Sequence, residues 1–418
     1  MVETNFKHTE IGLIPHDWEV KTLDEYAYIF NGDRSDRYPK DSEISRIGIP
    51  FVNAGHIVNG RLDFSNMDYI SIEKYNSMSG VKFMVNDLLV CLRGSLGKNA
   101  KIDFEGGTVA SSLCVIRPYA INPNYLSSIF NSSFFDGFIK EENNGSSQPN
   151  LSAQSLLGFK CPFPPTLAEQ ERIAGALSSI DTLIGALNEQ IEKKRHIKQG
   201  TMQQLLTGKK RLAGFTGEWK EVRLGELGYV IRGVGFKPEQ VSVIYKKGYI
   251  CLLRSNNVDR ACINYDNVIF VDSVCVNDNQ IMRREDILLC AANGSRNLVG
   301  KAGRKIDDKL NTFGAFMCVF RCEDIKSAPY VSFLLQSSSY LKQLDEILAG
   351  SAINNLNAKQ FGNMSFSIPP TIAEQSAIAA VLSGMDTEIA ALEQKRDKYI
   401  AIKSGMMQDL LTGKIRLV

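Results

Sequence analysis

The chain has 418 residues, of which 48 are Lys or Arg and 46 are Asp or Glu, and 44% are apolar. This composition is typical of a folded protein and excludes wholesale disorder, and the length predicts two or three domains. No run of about 18 apolar residues occurs, so we expect no transmembrane helix, and the N-terminus has no pattern of a secretory signal. The nine cysteines form no CxxC pair, which favours free thiols in a reducing cytoplasm.

Residues 1–165 are predicted to form a mixed α/β region. Three strand-like runs, 44–58, 80–93 and 113–117, are separated by short polar loops that contain glycine. After them, residues 125–139 are typical of a short helix with aromatic anchors. We therefore expect a domain of strands with a helix ahead of residue 165.

A long helix is predicted from residue 166 to about residue 210. Two prolines precede Thr166, and Glu169 follows it by three residues, which is the capping-box pattern at the start of helices. Gly208 stands at a helix-ending position. Heptad spacing is typical of a coiled coil, although packing against a domain core is the alternative. The heptad positions are Ile173, Leu177, Ile180, Ile184, Leu187 and Ile191.

The same block returns later in the chain. Residues 164–170 (PPTLAEQ) are matched by residues 369–375 (PPTIAEQ), 205 positions later, and the match continues without a gap to the LLTGK of residues 410–414. More than half of the aligned positions are identical, which indicates a duplication. A second long helix is therefore predicted from residue 371, with Gly413 at its end.

The region between the two helix blocks repeats the first domain more loosely. Trp219 matches Trp18 at an offset of 201, while other matched positions drift between offsets of 199 and 205. Insertions and deletions therefore fell in loops while the strands persisted. Strand-like runs are expected at 249–253, 268–271, 286–290 and 316–320, and a helix at 330–348.

The predicted fold class is α/β of the mixed α+β kind, with an internal pseudo-two-fold repeat. Each heptad helix lacks another partner in the chain, so the two are expected to pair, and an antiparallel pair would place the two domains at opposite ends. About 40 helical residues at about 1.5 Å each give a rod of about 60 Å. The domain bounds are 1–165, 166–210 (first helix), 211–370 and 371–418 (second helix).

Catalytic motifs are not recognisable. The glycines near Lys98 and Lys301 miss the GxxxxGK[ST] spacing of a phosphate-binding loop, and no GxGxxG follows a strand. The four histidines have no metal-ligand spacing, and Cys318 with Cys322 is weak evidence for zinc. We therefore interpret the chain as a binding protein without a catalytic or metal site.

With these features in place, the sequence resembles a known family. The PPTxAEQ and LLTGK blocks, each present twice, and the opening TEIGLIPxDW of residues 9–18 are similar to the specificity (S) subunits of type I restriction-modification systems. The resemblance covers essentially the whole chain. In that family each variable part is a target recognition domain, and the constant helices space the two domains and dock the modification subunits.

The resemblance implies a non-catalytic DNA-binding subunit of a cytoplasmic complex. Its partners would be double-stranded DNA, two methyltransferase (M) subunits and restriction/translocase (R) subunits. No cofactor is expected in this chain, since S-adenosylmethionine, ATP and Mg would act in the partner subunits. Each target recognition domain would bind one half of an asymmetric bipartite target. The helices would set the unread spacer, because accessible half-sites recur about every 34 Å along the duplex.

Candidate DNA contacts follow from side-chain chemistry, since Arg reads guanine, Asn and Gln read adenine, and Lys and Ser mostly hold phosphates. Three matched pairs of loops carry such side chains, and an ordinary solvated turn is the alternative for each. The first pair comprises Arg93, Ser95, Lys98 and Asn99 with Asn293, Ser295, Arg296, Asn297 and Lys301. The second comprises Ser146, Ser147, Gln148 and Asn150 with Asn354 and Asn355. The third comprises Asn31 and Arg34 with Arg232 and Lys237.

The ends of both predicted helices are basic. Residues 193–211 carry seven Lys or Arg and no acid, and residues 395–416 carry six against two acids. These charges would solvate a helix face, contact spacer phosphates or bind acidic surface on the M subunits. The rival function is an assembly scaffold whose variable domains do not read DNA. A chain that combines specificity with methyltransfer is disfavoured by the missing cofactor motifs.

Overall fold

The chain folds into two units with the same order of elements. The structure, a computed structural model, describes residues 5–143, 150–259, 261–349 and 354–417. Unit 1 comprises residues 1–188 and 394–418, and unit 2 comprises residues 189–393. Each unit therefore holds one mixed α+β domain together with part of each of two long helices.

Unit 1 contains the first thirteen strands. Its helices are α1 (Ile72–Ser77), α2 (Pro123–Phe130), α3 (Ser133–Glu142), α4 (Ala153–Leu157) and the first part of α5 (Leu167–Leu205). Its strands are β1 (Phe6–Thr9), β2 (Gly12–Pro15), β3 (Glu19–Thr22), β4 (Ala27–Asn31), β5 (Ile49–Val52), β6 (Ile57–Val58), β7 (Arg61–Leu62), β8 (Asp68–Ile70), β9 (Leu88–Cys91), β10 (Asn99–Lys101), β11 (Thr108–Val109), β12 (Leu113–Pro118) and β13 (Lys160–Phe163).

Unit 2 contains the remaining elements of the described chain. Its helices are α6 (Leu224–Leu227), α7 (Ala328–Leu334), α8 (Ser338–Ala349), α9 (Ala358–Gly362) and the first part of α10 (Ile372–Leu411). Its strands are β14 (Lys220–Arg223), β15 (Gly228–Arg232), β16 (Val241–Ser242), β17 (Tyr249–Leu253), β18 (Val258–Asp259), β19 (Cys262–Ile263), β20 (Ile269–Asp272), β21 (Ile287–Cys290), β22 (Ala302–Arg304), β23 (Asn311–Phe313), β24 (Met317–Cys322) and β25 (Ser365–Ile368).

The two units share a sheet topology. The antiparallel order β10-β9-β12-β4 of unit 1 corresponds to β22-β21-β24-β15 of unit 2, which β19 and β18 extend. In a second sheet β5 pairs in parallel with β11, as β17 does with β23. A two-stranded sheet joins the start of each domain to the strand ahead of its long helix, β3 with β13 and β14 with β25. The duplication seen in the sequence is therefore a duplication of the fold.

An ion pair stands at the same place in both main sheets. Arg117 donates from Nε and Nη2 to the carboxylate of Asp87, at 2.9 and 2.7 Å, and Arg321 holds Asp286 in the same way at 2.8 and 2.7 Å. The second carboxylate oxygen also accepts a backbone N–H three residues upstream in each unit. Both pairs tie the strand that begins at residue 88 or 287 to its neighbour in the sheet.

The two long helices begin and end where the sequence predicts. The hydroxyls of Thr166 and Thr371 accept the backbone N–H groups of Glu169 and Glu374, at 3.2 and 3.3 Å, so the capping threonines are confirmed. The two carboxylates bind arginines instead of completing a reciprocal capping box: Glu169 binds Arg416 and Glu374 binds Arg211. Gly208 and Gly413 follow the last helical turns with left-handed φ of +70° and +68°.

The helices α5 and α10 contact each other in an antiparallel sense within each unit. In unit 1, Arg172 donates to the carbonyl of Leu417 at 3.0 Å, and Asp181 binds Lys403 at 2.7 Å. In unit 2, Lys194 binds Glu388 and Lys198 binds Asp386, each at 2.6 Å. The partner's number falls as the α5 number rises, which defines the antiparallel sense. Part of the basic run at the end of α5 is therefore occupied by acids on α10.

The apolar stripe of each helix also closes a domain core. In unit 1, Ile173 and Leu177 of α5 lie with Leu410 and Leu411 in the core that contains Trp18. In unit 2, Leu205, Leu206, Ile378 and Leu382 lie in the core that contains Tyr330 and Phe361. The core-facing alternative is confirmed for these residues, and α5 contacts α10 within each unit, whereas a coiled coil along the heptad positions stays a prediction. A buried Leu→Ala change at such a site costs about 2–5 kcal/mol.

Several shorter predictions need correction. The run 80–93 contains only the strand Leu88–Cys91, because a turn through Asn86, at φ +73°, precedes it. The run 44–58 is interrupted after β5 by a 3-10 turn at Ala54–His56. The single helices expected at 125–139 and 330–348 are each two helices. In unit 1 the break comes where Ser132 caps α3 by accepting the N–H of Phe134.

Two general expectations can be compared with the fold. None of the helices in the described ranges has the length and apolarity needed to cross a bilayer. All nine cysteines lie in the described ranges and have free thiols. Burial raises the pKa of Cys114 and of Cys318 to about 12, so both thiols stay protonated at neutral pH.

Candidate nucleic-acid interface

A tight turn in each unit gathers the segments that follow several strands. In unit 1 this is junction turn 1 (residues 110–113), which closes with the N–H of Leu113 on the carbonyl of Ala110 at 3.0 Å. The Ala110 N–H donates to Val52 at the end of β5, and Ser112 accepts the N–H of Leu92, just after β9. Gly32, just after β4, donates to the carbonyl of Leu113. Three loops therefore start from one point.

Unit 2 builds the same arrangement at junction turn 2 (residues 314–317). Gly314 donates to the carbonyl of Leu253 at the end of β17, and Gly233 donates to Met317. The carbonyl of Phe316 accepts two N–H groups, from the residues 291 and 292 that follow β21, at 2.9 and 3.0 Å. The loops after β15, β17 and β21 therefore meet at one turn, as their counterparts do in unit 1.

Glycine is required beside each junction turn. A Cβ atom on Gly32 would lie 2.4 Å from the carbonyl oxygen of Ala110, and one on Gly233 would lie 2.0 Å from that of Gly314. Both distances are far below a van der Waals contact, so only glycine allows the strand end to approach the turn. The matched glycines of the sequence repeat are explained by this approach.

The structure brings the first two predicted loops of unit 1 together. Arg93 forms an isolated bridge with Asn150, and its Nε donates to the Asn150 side-chain oxygen at 3.2 Å. Arg93, Ser95 and Lys98 are exposed, and Lys98 Nζ lies 3.5 Å from the carbonyl of Ala54 in the loop after β5. Ser146, Ser147 and Gln148 lie outside the described residues.

Asn99 does not belong to the exposed set. It is buried at the start of β10, where its amide donates to the carbonyls of Gly97 and Phe130, each at 3.0 Å. Asn131 donates to its side-chain oxygen at 3.0 Å. The prediction that Asn99 contacts DNA is therefore withdrawn, because its hydrogen-bonding groups hold the end of α2.

The corresponding loops of unit 2 also meet. Asn355 forms an isolated bridge with Ala292, and the Asn354 amide donates to the carbonyl of Gly294 at 3.2 Å. The Asn293 amide donates to the hydroxyl of Ser255 at 3.2 Å, and its side-chain oxygen accepts the N–H of Ser295. The exposed residues of this group are Ser295, Arg296, Asn297 and Asn355.

Two cations of unit 2 already have acidic partners. Arg296 donates to the carbonyl and the carboxylate of Asp345 in α8, at 3.2 and 3.4 Å. Lys301 lies 3.9 Å from the carboxylate of Asp259. Both pairs are partly exposed, so they are weak and a phosphate could compete for either cation. Both cations of this loop therefore have a partner that DNA would have to displace.

In the third pair of predicted DNA-binding loops, one residue of each unit lies next to the junction turn. Asn31 and Arg232 each precede the glycine that bonds the turn, and both are exposed. The carbonyl of Arg232 accepts from the Gln280 side chain at 3.0 Å. Arg34 and Lys237 are also exposed.

Sequence reasoning missed the junction turns and the loops after β5 and β17. The loop after β5 starts at Asn53, whose N–H donates to His56 Nδ1 at 3.1 Å. In unit 2 the N–H of Arg254 donates to the Asn257 side chain at 2.9 Å. Both loops follow a buried apolar pair at an offset of 201, and that spacing was the available signal. The junction turns carry no side-chain pattern, since backbone hydrogen bonds form them.

A cysteine thiol bonds the backbone of the loop after β9 in unit 1 and of the loop after β21 in unit 2. The Cys91 thiol donates to the carbonyl of Arg93 at 2.9 Å, and the Cys290 thiol donates to that of Ala292 at 3.6 Å. Burial raises the pKa of Cys91 and raises that of Cys290 to about 11. Both thiols therefore stay protonated near neutral pH and serve as donors, not as nucleophiles.

Each set of loops exposes groups of the chemical kinds that bind nucleic acid in general. Exposed guanidinium, amide and hydroxyl groups on loops fixed by a rigid sheet match the donors and acceptors of base edges and phosphates. The side chains differ between the units although the backbone arrangement is the same. The geometry therefore offers two similar surfaces with different chemistry.

Comparison with known proteins gives a consistent result. The family described as type I restriction modification DNA specificity domain matches residues 15–194 and 216–401. The chain is 26% identical over 441 residues to the type I restriction enzyme MjaVIII specificity subunit of Methanocaldococcus jannaschii, covering 99% of this chain and 97% of that protein. It is 29% identical over 186 residues to the EcoKI specificity subunit of Escherichia coli K12, covering 44% and 40%.

Solved structures share the fold. An S subunit of a type I restriction-modification system from M. genitalium superposes with a TM-score of 0.60 at 16% identity, covering 98% of this chain and 97% of that chain. A chain from work on complex assembly and conformational transition of the type I R-M system gives 0.55 at 17% identity, covering 96% and 99%.

Proposed function

The chain belongs to the family of type I restriction-modification DNA specificity subunits, and from this premise we propose that each unit reads one half of a bipartite DNA target. The observation that carries the proposal is the pair of junction turns. Each gathers three loops on equivalent backbone hydrogen bonds, while the exposed side chains differ. Two modules that share a backbone arrangement but expose different side chains can read two different half-sites.

In unit 1 the reading group is Arg93 with Asn150, flanked by Ser95, Lys98 and the hydroxyls of junction turn 1. The 3.2 Å hydrogen bond between Arg93 and Asn150 holds the guanidinium in one orientation. A guanidinium held in this way suits the two acceptors of guanine, and Lys98 suits a phosphate.

In unit 2 the reading group is Asn293, Ser295, Asn297, Asn354 and Asn355. Amides suit the adjacent donor and acceptor of adenine. Arg296 and Lys301 would leave their carboxylate partners for phosphates when DNA binds. The half-site of unit 2 is therefore expected to be read mainly through amides, and the whole target to be asymmetric.

The long helices are proposed to act as a coiled-coil spacer and as the docking surface for two M subunits. The heptad stripes and the antiparallel contacts within each unit support this role. The repeat would present two equivalent docking surfaces. The M subunits would supply S-adenosylmethionine-dependent adenine methylation, and the R subunits would supply ATP- and Mg-dependent restriction, in the cytoplasm.

Selection from random duplexes tests the reading function. We expect the chain, assembled with its M subunits, to enrich one bipartite sequence, with affinity that falls steeply as salt rises. Arg93→Ala should lower affinity for that sequence about tenfold, the effect of one specific base contact. Lys160→Ala is the matched control. This exposed cation belongs to β13 and not to the loops of junction turn 1, and its Nζ lies 2.6 Å from the carboxylate of Glu10.

The scaffold alternative gives a different result in the same experiment. A scaffold would bring the M subunits together, yet the complex would enrich no sequence and Arg93→Ala would change nothing. An enriched bipartite sequence that is lost with Arg93→Ala but kept with Lys160→Ala would exclude the scaffold.

The spacer role has its own test. Inserting seven residues into both helices would lengthen the rod by about 10 Å while keeping the heptad phase. We expect the preferred spacer to lengthen and both half-site sequences to stay the same. An unchanged spacer would contradict the role of the helices as a ruler.

A further inference from the structure

Phe316 is a large apolar side chain that projects into solvent from junction turn 2. It is 73% exposed, while Phe313, three residues before it, and Met317, directly after it, are buried. The turn is closed by the N–H of Met317 on the carbonyl of Gly314 at 2.8 Å. Two N–H groups from the loop after β21 bind the Phe316 carbonyl. The backbone of Phe316 is therefore fixed although its ring has no place in the core.

The backbone of Phe316 is hydrogen-bonded to the loop that leads into the predicted reading group of unit 2. The loop that binds its carbonyl continues through Ala292 to Asn293, and Ala292 is bridged to Asn355. Burying an apolar side chain is favourable, so an exposed ring at a rigid turn forgoes stabilisation that a partner could restore.

The other unit has a hydroxyl at this position. The carbonyl of Ser112 accepts the N–H of Leu92 as the Phe316 carbonyl accepts that of Ala291, so the two residues are equivalent in junction turns 1 and 2. The turn itself does not require an aromatic side chain, because unit 1 forms it with serine. The ring is therefore a feature of the unit 2 surface.

We propose that Phe316 contacts the C5-methyl group of one thymine in the half-site read by unit 2. This inference rests on the proposed function. The thymine methyl is the one methyl group that base pairs present in the major groove. A ring pressed against the polar atoms of a base edge would cover a donor or acceptor without replacing its hydrogen bond, which is unfavourable. Serine at position 112 makes no such contact in the first half-site.

The test uses the assembled complex and its selected duplex. Each thymine of the second half-site is replaced in turn by deoxyuridine, which lacks only the methyl group. At one position we expect the loss of the methyl to weaken wild-type binding roughly fourfold, the value of one buried methyl-sized group. Phe316→Ser should weaken binding to the thymine duplex by a similar factor and should show no further loss with deoxyuridine.

Two further variants keep the test decisive. Phe316→Leu should retain sensitivity to the methyl, because it preserves an apolar contact. Val274→Ser, at an apolar residue of unit 2 that is 89% exposed, should behave as wild type in every assay. Thermal unfolding should be unchanged in all three variants, since both side chains lie in solvent.

The outcomes separate the two proposals. A wild-type complex that selects no sequence would refute the proposed function itself. A complex that selects a bipartite target but has no methyl-sensitive thymine in the second half would refute only the contact. The same holds if Phe316→Ser keeps the wild-type sensitivity to deoxyuridine.

Discussion

The two units agree in the ion pairs of their main sheets and differ in the side chains that they expose at the junction turns. Asp87 with Arg117 and Asp286 with Arg321 repeat the same bidentate geometry to within 0.1 Å. At the junction turns, by contrast, serine stands where the other unit has Phe316. The sheet contacts are fixed by packing, whereas the exposed side chains change without cost to the frame. One frame can therefore carry two different recognition chemistries.

The largest loss of stability is expected on breaking the buried ion pair between Asp286 and Arg321. Asp286→Ala should destabilise unit 2 by about 3–5 kcal/mol, because it leaves a buried guanidinium without its partner. Only 10% of the Arg321 side chain is exposed, against 25% of the Arg117 side chain, so water reaches Arg117 more easily. Asp87→Ala should therefore cost less, about 2 kcal/mol. Urea unfolding, followed by hydrogen exchange in each unit, measures both losses.

Asp308→Ala is the control for this pair of variants. Asp308 is exposed and lies 3.5 Å from Arg284, so its loss should change stability by less than about 0.5 kcal/mol. A loss at Asp87 as large as that at Asp286 would show that the exposure of the arginine does not set the cost.

The next largest loss of stability is expected on replacing the arginine that follows each long helix, Arg211 after α5 and Arg416 after α10. Arg416 binds Glu169 and Asp17, whereas Arg211 binds Glu374 and two carbonyls. Arg416→Ala should cost about 2 kcal/mol, because it leaves buried Glu169 unpaired. It should also raise the pKa of Asp17, which the hydrogen bond from Arg416 holds below its ordinary value.

Arg211→Ala should have the smaller effect on stability, since only one carboxylate loses its partner. Lys414→Ala, at an exposed residue of the same terminal segment, should be neutral. Thermal unfolding of the three variants, with titration of Asp17 by NMR, distinguishes these expectations. A larger loss for Arg211→Ala would reverse the predicted order.

Low pH should reduce the stability of unit 1 around Asp33 but not that of unit 2 around Val234. These two residues follow the matched glycines Gly32 and Gly233, and Val234 is buried. Burial alone would raise the pKa of Asp33, but hydrogen bonds from Ser35, Ser79 and Gly80 outweigh it and lower the pKa to about 2. This stabilisation is present above the unfolded pKa of about 3.9 and is lost as pH falls towards 2.

Hydrogen exchange should therefore show that the local stability around Asp33 is lower at pH 3 than at pH 5. The local stability around Val234 in unit 2 should not change for this reason. Asp33→Asn should remove this part of the pH dependence. An identical acid response in wild type and variant would contradict the role given to the carboxylate.

The smallest effects are expected between the helices. Lys403→Ala and Lys198→Ala remove equivalent partners of Asp181 and Asp386, and each should cost about 0.5 kcal/mol, as for other partly exposed pairs. Lys198 also lies over the ring of Phe333, 5.3 Å from its centroid, so its loss should be slightly larger. Equilibrium unfolding measures the difference, and a larger loss for Lys403→Ala would contradict it.

The sequence predicted the parts of the fold that have a strong periodic signal. The long helices were confirmed because capping threonines, heptads and terminal glycines all indicated the same bounds. The strand Tyr249–Leu253 was also confirmed. The run 80–93 was predicted too long, because apolar residues continue through a turn that only the backbone conformation of Asn86 reveals.

The candidate site was less accessible to sequence reasoning. Donor-rich loops could be found by composition, and the structure brings Arg93 together with Asn150. Asn99 looked similar in the sequence, yet a strand start places it in the interior. The junction turns depend on hydrogen bonds between backbone groups far apart in the chain, for which no residue pattern exists. The assignment of individual side chains to DNA stays a prediction.

Replacing residues 211–365 with the corresponding region of another specificity subunit tests whether each unit reads its own half-site. Methylated adenines would be mapped in cells that contain the hybrid chain and the M subunits. We expect one half-site to change while the other half-site and the spacer stay the same. A change in both half-sites, or in neither, would contradict the claim that each unit reads its own half.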